Sequence, residues 1–376
     1  MLPRDERNGS AVKCQEIVPR SSCEIITRDR KVPNPYISTL CGNKVQSDTF
    51  TTRYLHNMAA KEEGSGDRQE PEASDEYLTC FEVDKDRILS SSAFRRLARK
   101  TQVFAFPEDH LRNRLTHAVE VSQIASRISK ATGLNANLAE AIALGHDIGH
   151  GPGGHAAEEA FAKFIPDYFR HGPFGADVVL APMNLCSQTL DGIRNHSWSM
   201  PLPATAEALV VSFADRIAYC THDLEDALSI KLIDKAMLPS DVIFVLGEDK
   251  KTQVNTLIAE IIYCFKNFSV IGMRKEYGEA LLAFREFNFE FIYKSSEVEK
   301  ANEMFINLNS QLVEFYIDNP LLLPSSVVWK QEGGKDLVKR AICYVASMTD
   351  DYALQLGREF LGFNRFIPYS INATCH

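Results

Sequence analysis

The sequence lacks the cysteine spacing that a zinc ribbon or a disulfide framework requires. Its nine cysteines are odd in number, lie far apart, and form no C-x-x-C pair, so we expect free thiols in a reducing compartment. No apolar run approaches the roughly 18 residues that span a bilayer. The charged start of the chain also has no apolar core of the kind found in signal peptides. These absences predict a soluble, cytoplasmic protein with no membrane partner.

An excess of positive charge is also missing. The 376 residues include 41 Lys and Arg against 50 Asp and Glu, which leaves a net charge of −9. This balance argues against broad nucleic-acid binding, although a local basic pocket is compatible with it. Nucleic acid is therefore not an indicated partner. With 45% hydrophobic residues, a chain of this length buries a full core without disulfides or a structural metal.

Sequence periodicity divides the chain into three parts. Residues 1–76 are predicted to be an N-terminal extension that ends in an acidic linker, because residues 61–76 hold seven acids against two bases. From about residue 81, apolar residues recur at helical spacing, as in the helix that carries Leu115, Ile124 and Ile128 and stops at Gly133. The pattern predicts an all-α protein with a helical core over 77–235 and a helical C-terminal region over 236–376, packed on the core. A few short peripheral strands are expected at 102–106, 242–246 and 289–293.

The strongest chemical signal is HDIGHGPGGHAAE at residues 146–158, which contains three of the ten histidines and two carboxylates. Adjacent His146 and Asp147 can reach one metal ion only where a helix ends, because neighbouring side chains diverge on a regular helix. Two further ligands are expected to be His117, inside an apolar helix, and Asp215, inside a very apolar run. The alternative for Asp215 is a salt bridge with Arg216.

Two further patterns bear on a substrate. Asp215, Tyr219 and Asp223 follow one another at four-residue steps, which places them on one face of a helix. The segment 87–114 is basic within an acidic protein and indicates the positive field that a triphosphate needs. A solvated helix face is the alternative for about half of its charged residues, which are Arg87, Arg95, Arg96, Arg99, Lys100, Arg112 and Arg114.

The H…HD…D order resembles that of HD-domain metal-dependent phosphohydrolases, and longer motifs resemble the deoxynucleoside triphosphate triphosphohydrolases among them. The resemblance covers about residues 81–360. It rests on residues 86–103, 112–121 and 146–158, on NHSW at 195–198, FADRIAYCTHDLEDA at 213–227 and VASMTDDYA at 345–353. The chain departs from the family at Gly153, where an aromatic residue is usual, and after His171, where Gly-Pro replaces a polar motif.

The resemblance implies hydrolysis of a dNTP to a deoxynucleoside and inorganic triphosphate. It also implies a divalent metal ion, Mn²⁺ or Mg²⁺ in the first place, with Fe, Ni or Zn as alternatives. A homo-oligomer, tetramer or hexamer, and a dNTP effector are the implied partners. The implied site residues are His117, His146, Asp147 and Asp215 for the metal; His155, Glu158, His150 and His171 for catalysis; and Gln102, Arg114, Arg216, Tyr219 and Asp223 for the substrate.

Two other functions are compatible with these residues. The first is an HD phosphohydrolase that acts on nucleoside monophosphates or signalling nucleotides, which would not need the basic segment. The second is a regulator that binds nucleotides without turning them over, which the retention of all four metal ligands disfavours.

Overall fold

The predicted all-α fold is confirmed in a computed structural model, which describes residues 25–27, 36–37, 56–107, 110–165, 169–325 and 336–363. The first seven helices are α1 (Cys80–Ser90), α2 (Ser92–Arg96), α3 (Arg114–Thr132), α4 (Ala136–Gly145), α5 (His155–Ala162), α6 (His171–Phe174) and α7 (Ser187–Asn195). The other seven are α8 (Ala206–Ser229), α9 (Ser240–Leu246), α10 (Lys250–Phe268), α11 (Lys275–Asn288), α12 (Ser296–Asp318), α13 (Leu337–Ala346) and α14 (Asp350–Leu361). Across these ranges, no helix has both the length and the apolar character needed to cross a membrane.

The strands exist but lie elsewhere than the sequence predicted. Three short antiparallel strands, β1 (Ile25–Thr27), β2 (Tyr36–Ile37) and β3 (Met273–Arg274), form a sheet in the order β2-β1-β3. The prediction of strands at 102–106, 242–246 and 289–293 is wrong. Residues 242–246 belong to α9, because packing of α9 on α11 buries Val242 and Leu246 at helical spacing and overrides their β-propensity. Residues 289–293 form a π-helical turn that continues α11.

Three helices in the centre of the molecule determine where the polar side chains meet. Helix α3 packs mainly against α4 and α8. Its ends are set by an Asn113 side chain that caps the first turn and by Gly133, whose φ of 72° suits glycine at a helix C-terminus. Helix α8 is buried along most of its length, including polar positions. Polar groups on α3 and α8 and at the end of α4 therefore face one another inside the core.

Most of the apolar core falls into two clusters, and the loop after α4 contributes Ile148 to one of them and lies against Phe305 of the other. One cluster contains residues of α1, α3, α4 and α7 to α11, and the other contains residues of α5, α12, α13 and α14. Gly153 in that loop has φ of 72°, and a Cβ added there would lie 2.3 Å from Cγ of Phe305. The ring of Phe305, on α12, thus occupies the space that a side chain at residue 153 would take.

The segment 61–76 is mostly exposed, in line with its acidic composition, but the side chain of Arg68 anchors it to the core. The Arg68 side chain is 2% exposed and its Nη1 donates to Asp84 Oδ1 at 2.6 Å. Nη2 of Arg68 donates to the Cys80 carbonyl at 2.9 Å, at the start of α1. Asp84 also accepts hydrogen bonds from the Cys186 backbone N–H and the Thr189 hydroxyl, so this ion pair joins the segment to α1 and α7.

We predict that Arg68→Ala lowers the free energy of unfolding by about 3–5 kcal/mol, because it leaves the Asp84 carboxylate buried without its charged partner. Urea unfolding monitored by circular dichroism measures the change. The double variant Arg68→Met with Asp84→Leu removes both charges and should lose much less stability. A single variant as stable as the wild type would contradict the anchoring role of Arg68.

Candidate active site

The four predicted metal ligands lie together at the centre of the molecule. His117 comes from α3 and Asp215 from α8, and His117 Nε2 lies 3.1 Å from Asp215 Oδ1. His146 follows α4 directly, and its Nε2 is 3.7 Å from Asp215 Oδ1 and 3.4 Å from Asp147 Oδ1. The end of α4 lets His146 and Asp147 approach the same point, as the sequence predicted.

The donor atoms of this set fit a divalent metal ion. His146 Nδ1–H donates to the Ala143 carbonyl at 2.6 Å, which leaves the lone pair on Nε2. That Nε2 is buried and has no hydrogen-bond partner among the described residues. Imidazole nitrogen and carboxylate oxygen are ligands of Mn, Fe, Ni and Zn, and a backbone carbonyl that fixes the ring tautomer is usual behind a metal-binding histidine.

The charges of these groups depend on one another. Burial raises the pKa of Asp147, but the charges of neighbouring His146 and Arg114 outweigh it and hold that pKa well below its usual range. Burial likewise opposes the effect of the His117 hydrogen bond on Asp215, whose pKa is lowered to about 2. The pKa of His117 is raised, because hydrogen bonding to Asp215 outweighs burial. Both carboxylates are therefore negatively charged at neutral pH.

A second group of polar residues, from α5 and α6, adjoins the first. Glu158 Oε1 accepts hydrogen bonds from the His171 backbone N–H at 3.0 Å and from His171 Nδ1 at 2.5 Å. His155 lies farther away, with Nδ1 at 3.9 Å from Glu158, and its side chain is 72% exposed. The His150 ring stacks on the His171 ring with centroids 3.7 Å apart. Glu158 is thus bonded to His171 more closely than to its predicted partner His155.

His196, at the end of α7, was missed by the sequence reasoning as a site residue. Its ring is buried, 5.0 Å from the His146 ring, and its Nε2 lies 3.1 Å from His171 Nε2. Burial and the neighbouring histidines lower the pKa of His196 to about 3. The NHSW motif at residues 195–198 could have indicated His196, which directly follows the last residue of α7.

Of the predicted substrate residues Arg114, Arg216 and Gln102, Arg114 contacts a metal ligand directly. Arg114 Nη1 donates to Asp147 Oδ2 at 2.8 Å, and a Cβ on Gly154 would lie 2.3 Å from Arg114 Nη2, so glycine at 154 makes room for this guanidinium. Arg216 stacks on the Trp198 ring, with Cζ 3.7 Å from the ring centroid. Within the described ranges, the ionic partners of Asp215 are His117 and His146 rather than Arg216. Gln102 has a buried Oε1 without a hydrogen-bond partner among the described residues.

Two further predicted substrate residues, Tyr219 and Asp223, follow Asp215 along α8. Asp223 is buried, and Tyr293 donates its hydroxyl to Asp223 Oδ2 at 2.7 Å. Burial raises the pKa of Asp223 to about 7, against the lowering effect of the Tyr293 hydrogen bond. Tyr219 is half-buried and packs on the larger apolar cluster. Tyr293 was not predicted as a site residue, and the sequence predicted a peripheral strand at 289–293.

Comparison with known proteins places this arrangement in a family. Residues 114–220 match the HD domain, and residues 271–359 match the phosphohydrolase-associated domain. A deoxyguanosinetriphosphate triphosphohydrolase-like protein of Caldanaerobacter subterraneus subsp. tengcongensis is 40% identical over 322 residues, which cover 83% of this chain and 94% of that protein. The chain belongs to this HD-domain family.

Other relatives have the same printed name. One from Clostridium perfringens is 36% identical over 323 residues, covering 81% of this chain and 93% of the relative. One from Clostridium tetani is 36% identical over 315 residues, which cover 79% of this chain and 89% of the relative. The chain is therefore an HD-domain phosphohydrolase that spans nearly the whole length of these relatives.

In the basic segment 87–114 of this HD-domain protein, several arginines form ion pairs with carboxylates of the same chain. Arg87 pairs with Glu72 at 2.9 Å, and the exposed Arg99 pairs with Asp351 at 3.0 Å. Arg112 forms ion pairs with three carboxylates, those of Glu120, Glu225 and Asp226. Three of the seven bases are therefore engaged by carboxylates of the same chain, and Arg114 is the member of the segment that contacts a predicted metal ligand.

Asp350, the first residue of α14, connects the phosphohydrolase-associated domain to the loop after α4. Its Oδ1 accepts from the Gly153 backbone N–H at 2.9 Å. Its Oδ2 accepts from the Thr101 N–H at 2.8 Å and hydroxyl at 2.6 Å, one residue before Gln102. Next to it, the buried Lys100 donates to the carbonyls of His150 and Ala346. Asp350 therefore positions two predicted parts of the site at once.

We predict that Asp350→Asn lowers kcat for phosphohydrolysis at least about tenfold, equivalent to about 1.4 kcal/mol in the barrier. An amide has one acceptor oxygen, so its NH₂ group must face either Gly153 or Thr101, both of which donate. Steady-state kinetics and thermal unfolding should be measured together. The neighbouring Asp351→Asn, at an exposed position, is the matched control and should behave like the wild type. A lower melting temperature with unchanged kcat would contradict the positioning role.

Proposed function

We propose that this chain hydrolyses deoxynucleoside triphosphates to a deoxynucleoside and inorganic triphosphate, with a divalent ion held by His117, His146, Asp147 and Asp215. The observation that carries the proposal is the arrangement along α8. Asp215 lies among the metal ligands, and Asp223 lies two turns farther along the same helix, hydrogen-bonded to Tyr293. This spacing suits a sugar held next to a phosphate. The printed name of the relatives, deoxyguanosinetriphosphate triphosphohydrolase-like protein, supports the same substrate class.

The unpaired polar groups of the site support roles for the remaining residues. Buried Nε atoms of Arg114 and Arg216 have no hydrogen-bond partner among the described residues and suit phosphate oxygens. The unpaired Oε1 of Gln102 suits a sugar hydroxyl. His155 is exposed next to Glu158 and is the candidate to protonate the departing 5′-oxygen. A divalent ion at the four ligands would lower the pKa of a water and polarise a phosphate oxygen.

A second candidate function is hydrolysis of a nucleoside monophosphate by the same site. It is favoured by one observation: Arg87, Arg99 and Arg112 are engaged by carboxylates, so the segment offers less positive charge for a long phosphate chain than its composition suggests. This candidate predicts orthophosphate as the product.

The products of the reaction test the proposal. Each of the four dNTPs is incubated with Mn²⁺ or Mg²⁺, and the products are separated by ion exchange and identified by phosphorus NMR. Tripolyphosphate and deoxynucleoside are expected, because a sugar bound at Asp223 would leave the α-phosphate next to the proposed metal ligands. Pyrophosphate with dNMP, or activity on dNMP alone, would refute the assignment.

Replacement of a metal ligand should remove activity and metal but not the fold. We predict that Asp147→Ala and His146→Ala abolish turnover, since both side chains lie at a helix end and outside the apolar packing faces. Bound metal, activity and the circular dichroism spectrum should be measured on the same preparations. Asp318→Ala, at an exposed position of α12, is the control. Full activity in a folded, metal-free Asp147→Ala protein would refute the role of the metal.

Tyr219 should discriminate against ribonucleotides. It lies one turn from Asp215 on α8, where its ring would leave no room for a 2′-hydroxyl. We predict at least about a tenfold bias in kcat/KM for dGTP over GTP, since about 1.4 kcal/mol gives one factor of ten. Tyr219→Ala should narrow the ratio, and Tyr219→Phe, which keeps the ring, should preserve it. Equal kcat/KM values for dGTP and GTP in the wild type would contradict this steric role.

Four further expectations belong to this proposal. A homo-oligomer, tetrameric or hexameric, is measurable by light scattering at micromolar concentration. A dNTP effector would appear as activation of one dNTP's hydrolysis by another. Cytoplasmic location and the preference for Mn²⁺ or Mg²⁺ over Fe, Ni or Zn remain predictions.

A further inference from the structure

Two thiols lie next to each other under the exposed segment 61–76. Cys80 is the first residue of α1, and Cys186 directly precedes α7. A Cβ added to Gly66 would lie 2.5 Å from Cys186 Sγ and 3.1 Å from Cys80 Sγ, so both sulfurs border the same small space. Cys186 Sγ also lies 4.0 Å from the Cys80 carbonyl oxygen, and both cysteines are free. The two thiols are therefore neighbours, although 106 residues separate them in the chain.

The backbone of Gly66 covers this pair of thiols. Its φ of 77° lies in the left-handed region, and its N–H donates to the Glu63 carbonyl at 3.3 Å in a turn. Any side chain at residue 66 would collide with both sulfurs. The thiols are thus separated from solvent by a glycine turn in a segment that is itself mostly exposed.

Cys80 has the surroundings of a reactive thiol. It begins α1, where the unpaired backbone N–H groups of a helix favour a negative charge. The guanidinium of Arg68 lies beside it, with Nη2 donating to the Cys80 carbonyl at 2.9 Å. A hydrogen bond from the Cys186 thiol lowers the pKa of Cys80 and outweighs burial. The same hydrogen bond and burial raise the pKa of Cys186.

A cleft reaches the Cys80 side of the pair. It has a volume of about 240 Å³, and Cys80 lines it together with residues of the segment 61–76, among them Gly64, Ser65 and Arg68. Both cysteines are buried, at 2% exposure for Cys80 and 0% for Cys186. A molecule of the size of water or hydrogen peroxide fits a cleft of this volume. Such a molecule meets Cys80 before it meets Cys186.

We propose that Cys80 and Cys186 are a peroxide-reactive thiol pair, which hydrogen peroxide oxidises to a disulfide. The Cys80 thiolate attacks one peroxide oxygen, so that an S–O bond forms, the O–O bond breaks, and hydroxide leaves and takes up a proton. The Cys186 thiol then loses its proton and attacks the sulfur of the resulting sulfenic acid. An S–S bond forms, the S–O bond breaks, and water leaves. In total, the two thiols lose two electrons and two protons, and the peroxide is reduced to two waters.

The disulfide would join the starts of two helices that are already held together. Asp84 on α1 accepts hydrogen bonds from the Cys186 backbone N–H and from the Thr189 hydroxyl on α7. Closing the bond therefore requires movement of the two thiol side chains rather than of the helices. A link between residues so far apart in the chain restricts the unfolded state, so oxidation should stabilise the fold.

Peptide mapping of the full-length wild type tests the proposal without any variant. The reduced protein is treated with a few equivalents of hydrogen peroxide, its remaining thiols are blocked with N-ethylmaleimide in denaturant, and it is digested with trypsin. Each cysteine of the pair lies in a tryptic peptide with no other cysteine, residues 69–85 for Cys80 and 171–194 for Cys186. We expect these two peptides to be joined at a mass about 2 Da below their sum and to separate on reduction. The melting temperature should rise by about 3 °C or more.

Variants distinguish the roles of the two thiols. In Cys186→Ser, oxidation of Cys80 should stop at the sulfenic acid, which dimedone traps on the peptide 69–85. In Cys80→Ser, the peptide 171–194 should stay unoxidised. Cys343→Ser is the matched control, since Cys343 is a free, half-buried thiol on α13 whose pKa burial raises to about 11. This variant should form the same linked peptide as the wild type.

Three results would overturn the proposal. They are an oxidised wild type without the linked peptide, oxidation of Cys80 no faster than that of Cys343, and a disulfide from either cysteine of the pair to a different one. None of these results depends on dNTP hydrolysis, so the thiol pair and the proposed function are tested separately.

Discussion

The structure depends on a carboxylate that is buried among histidines at the end of a helix. Asp147 pairs with Arg114 and lies next to His146 and His150. A buried negative charge of this kind is costly unless positive groups are arranged around it. The packing of α3, α4 and α8 supplies that arrangement, which explains why three mostly apolar helices carry polar residues at the positions where they meet.

Local residue order was sufficient to predict this centre. His117, His146, Asp147 and Asp215 were found because charged or polar residues in apolar helical runs need a common partner. His196 and Tyr293 were not predicted as site residues, since each reaches the site only when its own helical segment packs against the others. A count of basic residues likewise does not show that Arg112 pairs with three carboxylates of the same chain.

The secondary structure also depends partly on local sequence and partly on tertiary packing. Helix ends at Asn113 and Gly133 follow from the chemistry of capping, and the sequence identified the stop at Gly133. The segment 242–246 has the composition of a strand, yet it folds as a helix because α11 offers a surface that accepts residues at helical spacing. Composition also suggested a solvated segment at 61–76. Most of that segment is indeed exposed, but composition did not show that one arginine in it, Arg68, pairs with a buried aspartate on a different element.

Asp350 is synthesised later than the residues with which it forms hydrogen bonds in the site. All proposed metal ligands, from His117 to Asp215, leave the ribosome before residue 350 is made. A nascent chain can therefore hold the complete ligand set while the backbone N–H of Gly153 and the hydroxyl of Thr101 still lack their acceptor. The hydrogen bond from Gly153 in the loop beside the ligands forms only when α14 packs, so the order of translation separates synthesis of the ligand set from completion of the pocket around it.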